Sequence, residues 1–441
     1  MEIVRVIGAG MAGCEAAWQL AQRGIPVILH EMKPQKYSPA HKMQGYAELV
    51  CSNSLKAERI DSAAGLLKKE MELCGSLLVP CAKACRVAAG GALAVDRDDF
   101  SAMVTEKIKN HPLITVEEGE VTQIPRDGIC IIASGPLTSD GLAEKIFERC
   151  GQALSFYDAA APIVTAESID PACSFFASRY DKGGDDAYIN CPMNKEEYEA
   201  FYAALLTAES AQLHEFDRAP NVYEGCMPIE IMARRGADTI RFGPLKPVGL
   251  RDPRTGHRPW AVVQLRRENA EGTLYNLVGF QTNLKFGEQK RVFGMIPALR
   301  NAEFMRYGVM HRNTFLDSPK VLLGTFQTKE DPRLFFAGQI TGVEGYMESA
   351  AAGLMAGRNA AHLILGEELE ILPDTTMIGA LSRYISGYDA GNFQPMGANF
   401  GILPPLEVQI RDKRERYAAL ARRSLQYWGE ELPASTEEKD G

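Results

Sequence analysis

Val4-Arg5-Val6-Ile7-Gly8-Ala9-Gly10-Met11-Ala12-Gly13, running on to Glu31, is the stretch whose reading decides the fold. Ile3 to Ile7 is a short apolar run rich in β-branched residues, as a buried parallel strand requires. Gly8 allows a tight turn, Gly10 lets backbone approach a pyrophosphate, and Gly13 lets the following helix pack close to the strand. The helix predicted from Met11 to about Arg23 aims its N-terminal N–H groups and positive dipole end at the phosphates. Pro26 to His30 reads as a second strand, and Glu31 at its end lies 21 residues after Gly10. That separation suits a carboxylate accepting from a ribose hydroxyl. The plainer alternative, a glycine-rich turn in some other α/β protein, leaves Glu31 unexplained. The stretch reads as a dinucleotide-binding βαβ unit.

At 441 residues the chain has room for two or three domains. It is 46% apolar and 24% charged, an ordinary globular balance. No apolar run reaches the ~20 residues of a membrane span. The first strand begins almost at residue 1, so no signal peptide is expected, and a cytoplasmic location follows. Ten cysteines lack CxxC pairs and zinc spacing, so reduced thiols and no metal are expected. The net charge is −9, but residues 231–300 carry +8 and residues 411–423 carry +4, leaving −21 elsewhere. That asymmetry suggests a basic face for a polyanion. The competing reading makes some of these arginines internal ion pairs.

Along the chain, Cys51 sits among small polar residues in Leu49-Val50-Cys51-Ser52-Asn53-Ser54-Leu55-Lys56. A loop or helix start there would supply N–H groups that favour thiolate; a small buried hydrophobe is the equally weighted alternative. Ser62 is a candidate cap for a helix to Cys74, and Cys81 and Cys85 read as packing on one helical face. Leu113–Val116 and Gly119–Ile124 read as a strand pair, and 128–133 as a buried strand. Tyr198–Leu206 is predicted helical. Cys226, between Gly225 and Met227-Pro228, sits on irregular backbone. It precedes Arg234, Arg235, Arg241, Lys246, Arg251, Arg254, Arg258, Arg266 and Arg267, with Phe242, Trp260, Tyr275 and Phe280 interleaved. Cations and stacking planes suit looped nucleic acid, or equally a flavin or pterin ring. The amides of 279–289 suit either a heteroaromatic edge or a polar turn.

Leu334-Phe335-Phe336-Ala337-Gly338-Gln339 is then a second strand ending in glycine, followed by a loop and a helix from Glu348 to Leu365 full of alanine and glycine. Such small residues suit a helix that something large must approach. This second strand–glycine–helix element closes FAD sites and shifts the expected dinucleotide from NAD to FAD. Residues 373–405 read as Pro/Gly-rich and irregular, Arg411–Trp428 as a basic amphipathic helix, and Pro433–Gly441 as an acidic, disordered tail.

The 8–17 opening and the 334–342 closure resemble the bacterial tRNA-modifying flavoproteins. Val50 to Lys56, Tyr223 to Pro228, Arg241 to Leu250, Gly279 to Gln289 and Gly345-Tyr346-Met347-Glu348-Ser349 resemble the branch of folate- and FAD-dependent tRNA (uracil-5-)-methyltransferases. The wobble-uridine branch (MnmG or GidA) is the alternative, opposed by the absence of its long C-terminal helical extension. The resemblance implies an α/β, Rossmann-type, discontinuous FAD-binding domain at 1–155 and 325–441, with an inserted α+β domain at 156–324 facing tRNA and folate. It implies methylation of C5 of uridine 54 in the tRNA T-loop. The carbon comes from 5,10-methylenetetrahydrofolate and the electrons from NADH or NADPH through FAD. It further implies catalytic cysteines at Cys51 and Cys226, and cofactor contacts at Gly8, Ala9, Gly10, Met11, Ala12, Gly13, Glu31, Gly338, Gln339 and Gly345. No obligatory protein partner is expected.

Overall fold

Five parallel strands, in the spatial order Leu334–Phe336, Cys130–Ile132, Val4–Ile7, Val27–Glu31, Ile114–Glu118, build the first sheet. The computed structural model describes residues 2–151, 153–181, 187–211, 227–387 and 393–430. Val4 pairs with Val27 and Arg5 with Cys130, and Leu334 extends the sheet beside Cys130. The late strand is thus next but one to the first. Both strand–glycine turns therefore open at the same, carboxyl end of the sheet, where ligands of open α/β sheets bind.

Helix Met11–Gln22 packs on this sheet, and helix Tyr346–Leu365 packs on it in turn. Their approach is a matter of missing side chains. A Cβ on Gly353 would lie 2.0 Å from the Ala12 carbonyl oxygen, and one on Gly357 would lie 2.6 Å from that of Ala16. What approaches the small-residue helix is therefore the first helix itself.

A second, antiparallel sheet takes the order Phe175–Phe176, Tyr188–Met193, Ala261–Arg267, Leu274–Leu277, Ile163–Thr165, Phe304–Arg306. Helices Lys195–Thr207 and Phe286–Phe293 cover it over a core that includes Phe201, Phe280 and Phe293. The predicted helix at 198–206 starts earlier because Asn194 and Glu197 form a reciprocal capping box. Ser62 caps its helix by accepting from Gly65 N, as expected. Cys81 and Cys85 are buried packing residues.

Two expectations fail. Residues 119–124 form no strand: Ile114–Glu118 pairs parallel with Val27–Glu31, and Gly119, at φ +143°, turns the chain away. Residues 373–405 are not wholly irregular, since Met377–Gly387 is a helix. Its start is held by Glu70, a buried carboxylate that accepts from Met377 N at 2.8 Å, Ile378 N at 2.9 Å and Ser424 Oγ at 2.5 Å. The sequence conceals this, because the capping group lies 307 residues away. Burial pushes the Glu70 carboxyl up to about 7. Glu15 does the same for helix Leu78–Ala84, accepting from Leu77 N and Leu78 N at 3.1 and 3.0 Å.

Glu70→Ala leaves two buried helix N–H groups and a hydroxyl without a partner. It is expected to destabilise the fold by about 2–4 kcal/mol. Denaturant unfolding measures the loss, and limited proteolysis is expected to cut first within 373–430.

Candidate flavin cleft and thiol site

The two glycine turns share one cleft. Its wall is formed by Gly8, Ala9, Gly10, Met11 and Ala12, by Glu31 to Lys33, by Ala133 to Thr138, and by Gly338, Gln339, Tyr346 and Ser349. It encloses about 1120 Å³ of atom-free space, its open mouth included. Packing explains two of the three opening glycines. Gly8 holds φ +101° and a Cβ there would sit 2.7 Å from the Ala133 carbonyl oxygen; one on Gly13 would sit 1.7 Å from that of Gly8. Gly10 is different, since a Cβ there would meet nothing within 4 Å. The protein's own atoms do not require glycine at this position, whereas a ligand lying against the backbone would.

Glu31 is 6% exposed. Its Oε2 accepts from Ala9 N at 2.9 Å and its Oε1 from Lys33 N at 3.0 Å, which fixes the carboxylate at the cleft wall. Remaining lone pairs suit a diol. Behind it, Lys33 pairs with Glu48 at 3.6 Å, and burial lowers His41 to about 4. On the opposite side Gly338 holds φ +85°, with Ala12 Cβ 2.9 Å from where its own Cβ would be. Gln339 Nε2 donates to Glu344 Oε2 at 2.6 Å. Gly13 and Gly345 lie outside the cleft lining. Gly345 caps the closing helix at φ +126°, with Glu348 Oε2 2.1 Å from where a Cβ would be.

Cys51 lies between this cleft and the inserted sheet. Its neighbour Val50 lines the cleft, and so does Tyr346, the first residue of the closing helix. The Tyr346 hydroxyl oxygen accepts from Cys51 N at 2.8 Å and Ser52 N at 3.4 Å, and lies 3.0 Å from Cys51 Sγ. With the oxygen accepting twice, its proton is directed to sulfur. Burial, then the neighbouring Cys51, raises Tyr346 well above the usual phenol range, so it remains a donor. The N–H groups expected to favour a thiolate donate to this hydroxyl instead of to the sulfur. No helix starts at Cys51. In the sequence Tyr346 is one residue of the Gly345–Ser349 motif; the fold brings it 295 residues back to Cys51.

Three arginines hold the Cys51 loop from behind. Arg266 donates to Asn53 Oδ1 at 3.0 Å and Ser52 Oγ at 2.9 Å. Arg97 donates to the Leu49 carbonyl at 2.8 Å and pairs with Glu268 at 2.7 Å. Arg306 donates to the Val50 carbonyl. Burial lowers the pKa of both Arg266 and Arg306.

The basic stretch accordingly divides. Arg266 is buried and structural. Arg254 forks onto Asp252 at 2.9 and 2.7 Å. Arg241 lies 3.7 Å from the Trp260 ring centre and donates to the Trp260 carbonyl at 3.0 Å. Arg234, Arg235, Arg251 and Arg258 are exposed. Of the interleaved aromatics, Tyr275 and Phe280 are core and Phe242 is exposed. The 279–289 amides serve the fold: Gln289, fully buried, donates to the Leu284 and Gly308 carbonyls at 2.7 and 2.8 Å.

Cys226 lies outside the described residues. The residues flanking it are placed. Ala211 N donates to the Asn283 carbonyl and Ile229 N to that of Gln281, each at 2.7 Å. Glu230 accepts from Thr282 Oγ1 at 2.9 Å and Asn283 N at 2.7 Å. Both flanks of 212–226 are therefore tied to 281–285. Among the described residues no group of acids, histidines and cysteines could hold a metal, and no helix is long and apolar enough to cross a membrane.

The family model described as glucose inhibited division protein A matches residues 3–368. The methylenetetrahydrofolate--tRNA-(uracil-5-)-methyltransferase TrmFO of Acetivibrio thermocellus is 59% identical over 426 residues, 96% of this chain and 97% of that protein. The chain belongs to the TrmFO family. The protein of the same name from Desulforamulus reducens is 60% identical over 424 residues, 96% of each chain. In structure the chain is similar to Aquifex aeolicus GidA, with a TM-score of 0.70 and 16% identity over 97% of this chain and 73% of that one. That likeness shows the fold, and it agrees with the expected α/β, FAD-binding class.

Tyr346→Phe removes the proton aimed at Cys51. The alkaline limb of Cys51 alkylation by iodoacetamide, followed by peptide mass spectrometry, is expected to move up by about one pH unit. An unshifted profile contradicts the hydrogen bond.

Proposed function

We propose that this chain methylates C5 of uridine 54 in the T-loop of tRNA. One observation carries the reading: Cys51 is held at the boundary between the shared glycine-turn cleft and the inserted sheet. The names of its relatives supply the reaction class. The overall change is uridine plus methylenetetrahydrofolate plus NAD(P)H and a proton, giving 5-methyluridine, tetrahydrofolate and NAD(P)⁺. FAD, when bound, would supply the hydride that takes the transferred carbon from methylene to methyl.

The residues fit that group. Glu31 would hold a ribose, the helix N-terminus at Gly10 to Ala12 a pyrophosphate, and Gly338-Gln339 the ring side of the cofactor. In this reading residues 1–155 and 325–441 bind the cofactor and 156–324 face tRNA and folate.

Uracil C5 is a poor nucleophile until something adds at C6. We assign that addition to the Cys226 thiolate. C5 then forms a bond to the methylene carbon of the folate, a base removes the C5 proton as the carbon–nitrogen bond to folate breaks, and hydride addition to the exocyclic carbon restores the ring as the thiolate leaves C6. Cys51, with its sulfur hydrogen-bonded to Tyr346, handles a proton or the one-carbon unit on the cleft side. The exposed arginines that follow Cys226 in the sequence contact the phosphate backbone.

A yellow preparation incubated with T-arm RNA, methylenetetrahydrofolate and NAD(P)H is expected to yield 5-methyluridine at one position. Normal FAD content with no incorporation would overturn the reading. With 5-fluorouridine RNA, Cys226→Ala is expected to lose the covalent complex and Cys51→Ala to keep it; the opposite pattern reverses the two roles. Glu31→Gln is expected to weaken FAD binding by about 10- to 150-fold, the worth of a charged hydrogen bond, as read by flavin fluorescence.

A further inference from the structure

Three rings stand in a near-parallel ladder on the inserted part. Phe304 and Tyr307 stack at 5.2 Å and 8°, and Tyr307 and Phe286 at 4.7 Å and 15°. Phe304 packs against the core of the inserted sheet, whereas Phe286 is 55% exposed. Beside it Gly287 has open space where a side chain would be. A lone exposed phenylalanine needs no explanation. A stack that starts on the core and ends with an exposed ring is a prepared surface for another ring.

Its place matters more than its exposure. Tyr307 follows Arg306, whose guanidinium holds the Val50 carbonyl beside Cys51. Phe286 follows the 281–285 stretch to which both flanks of the Cys226 segment are tied. The ladder therefore adjoins the supports of both cysteines, yet none of its rings lines the cofactor cleft. The cations on either side of Phe286 in the chain are paired: Lys285 with Glu209 at 2.5 Å and Arg291 with Glu288 at 2.6 Å. Such a surface recognises a flat ring by stacking and has little hold on phosphate.

We propose that Phe286, backed by Tyr307 and Phe304, stacks on a nucleobase of the RNA next to the target uridine. The proposal rests on the RNA-methylation reading above. A thiol can reach C6 only when the uridine leaves its stack, and its neighbours then lose a stacking partner. The exposed ring replaces it. The folate pterin, the other flat ring in the reaction, must meet the flavin and so belongs inside the cleft.

The test uses a T-arm minihelix carrying 2-aminopurine beside the target uridine, with binding read by fluorescence without turnover. Phe286→Ala is expected to bind the minihelix ~5- to 150-fold more weakly, the range found for one base on one aromatic. It is also expected to lose the 2-aminopurine quench, with FAD content and the KM for methylenetetrahydrofolate within twofold of the parent. Phe286→Trp is expected to restore both binding and quench. Unchanged RNA binding and quench in Phe286→Ala would overturn the proposal. So would a raised folate KM with RNA binding intact, which would give the plane to the pterin. Failure of the parent protein to methylate the minihelix would strike the RNA-methylation reading alone, since stacking is read from binding.

Discussion

The contact between two helix backbones sets everything else in this molecule. Gly353 lies against Ala12 and Gly357 against Ala16, at distances that leave no room for a Cβ. That contact locks helix Tyr346–Leu365 onto helix Met11–Gln22, although 323 residues separate their last and first residues. The first helix begins at its glycine turn and the second soon after the Gly338 turn, so locking the helices brings both turns to one cleft. The same register delivers Tyr346, at the start of the second helix, to the Cys51 backbone. Cofactor wall and thiol partner thus follow from a single packing constraint. Glycine inside a helix costs about 1 kcal/mol against alanine, and here it is offset by close packing between the helices.

A second constraint works from the opposite side. Arg97, Arg266 and Arg306 reach the Leu49–Asn53 loop from the start of helix Arg97–Lys109 and from two strands of the inserted part. Buried guanidinium groups are costly unless every partner is present. Here Arg266 is buried and bonded to Asn53 and Ser52, while the half-buried Arg97 and Arg306 bond the Leu49 and Val50 carbonyls and Arg97 pairs with Glu268. The cost of breaking such a set makes the loop's position a property of both halves of the molecule. It also explains why a strongly basic stretch is only partly a binding surface. Some of its cations hold the two halves together, and others face solvent.

What the sequence revealed depended on the range of the interaction. The first βαβ unit is local: strand, turn, helix, strand and acid fall within 31 residues, and each leaves its own mark. The closing strand–glycine–helix element is equally local and was legible for the same reason. Its crowded glycines were legible only as a demand for close approach, and the partner turned out to be the first helix. Tyr346 escaped notice because a tyrosine at a helix start has many uses, and its partner is distant in sequence. Helix Met377–Gly387 was missed because its cap is Glu70, on another element. The basic stretch misled in part, since charge composition does not separate Arg266, buried between halves, from Arg258 at the surface. The amides of 279–289 stand out in an apolar context, and those of Gln289 and Asn283 bind this chain's own carbonyls.

The most direct test of this account is Gly353→Ala, read on the cofactor and the thiol in the same preparation. The new methyl group would lie 2.0 Å from the Ala12 carbonyl oxygen, so the helices must part. The account predicts that FAD content and the alkylation profile of Cys51 change together, with loss of flavin and a Cys51 that reacts as it does without Tyr346. A variant that keeps full flavin and an unaltered Cys51 profile would contradict it, because cleft and thiol would then not depend on one helix contact.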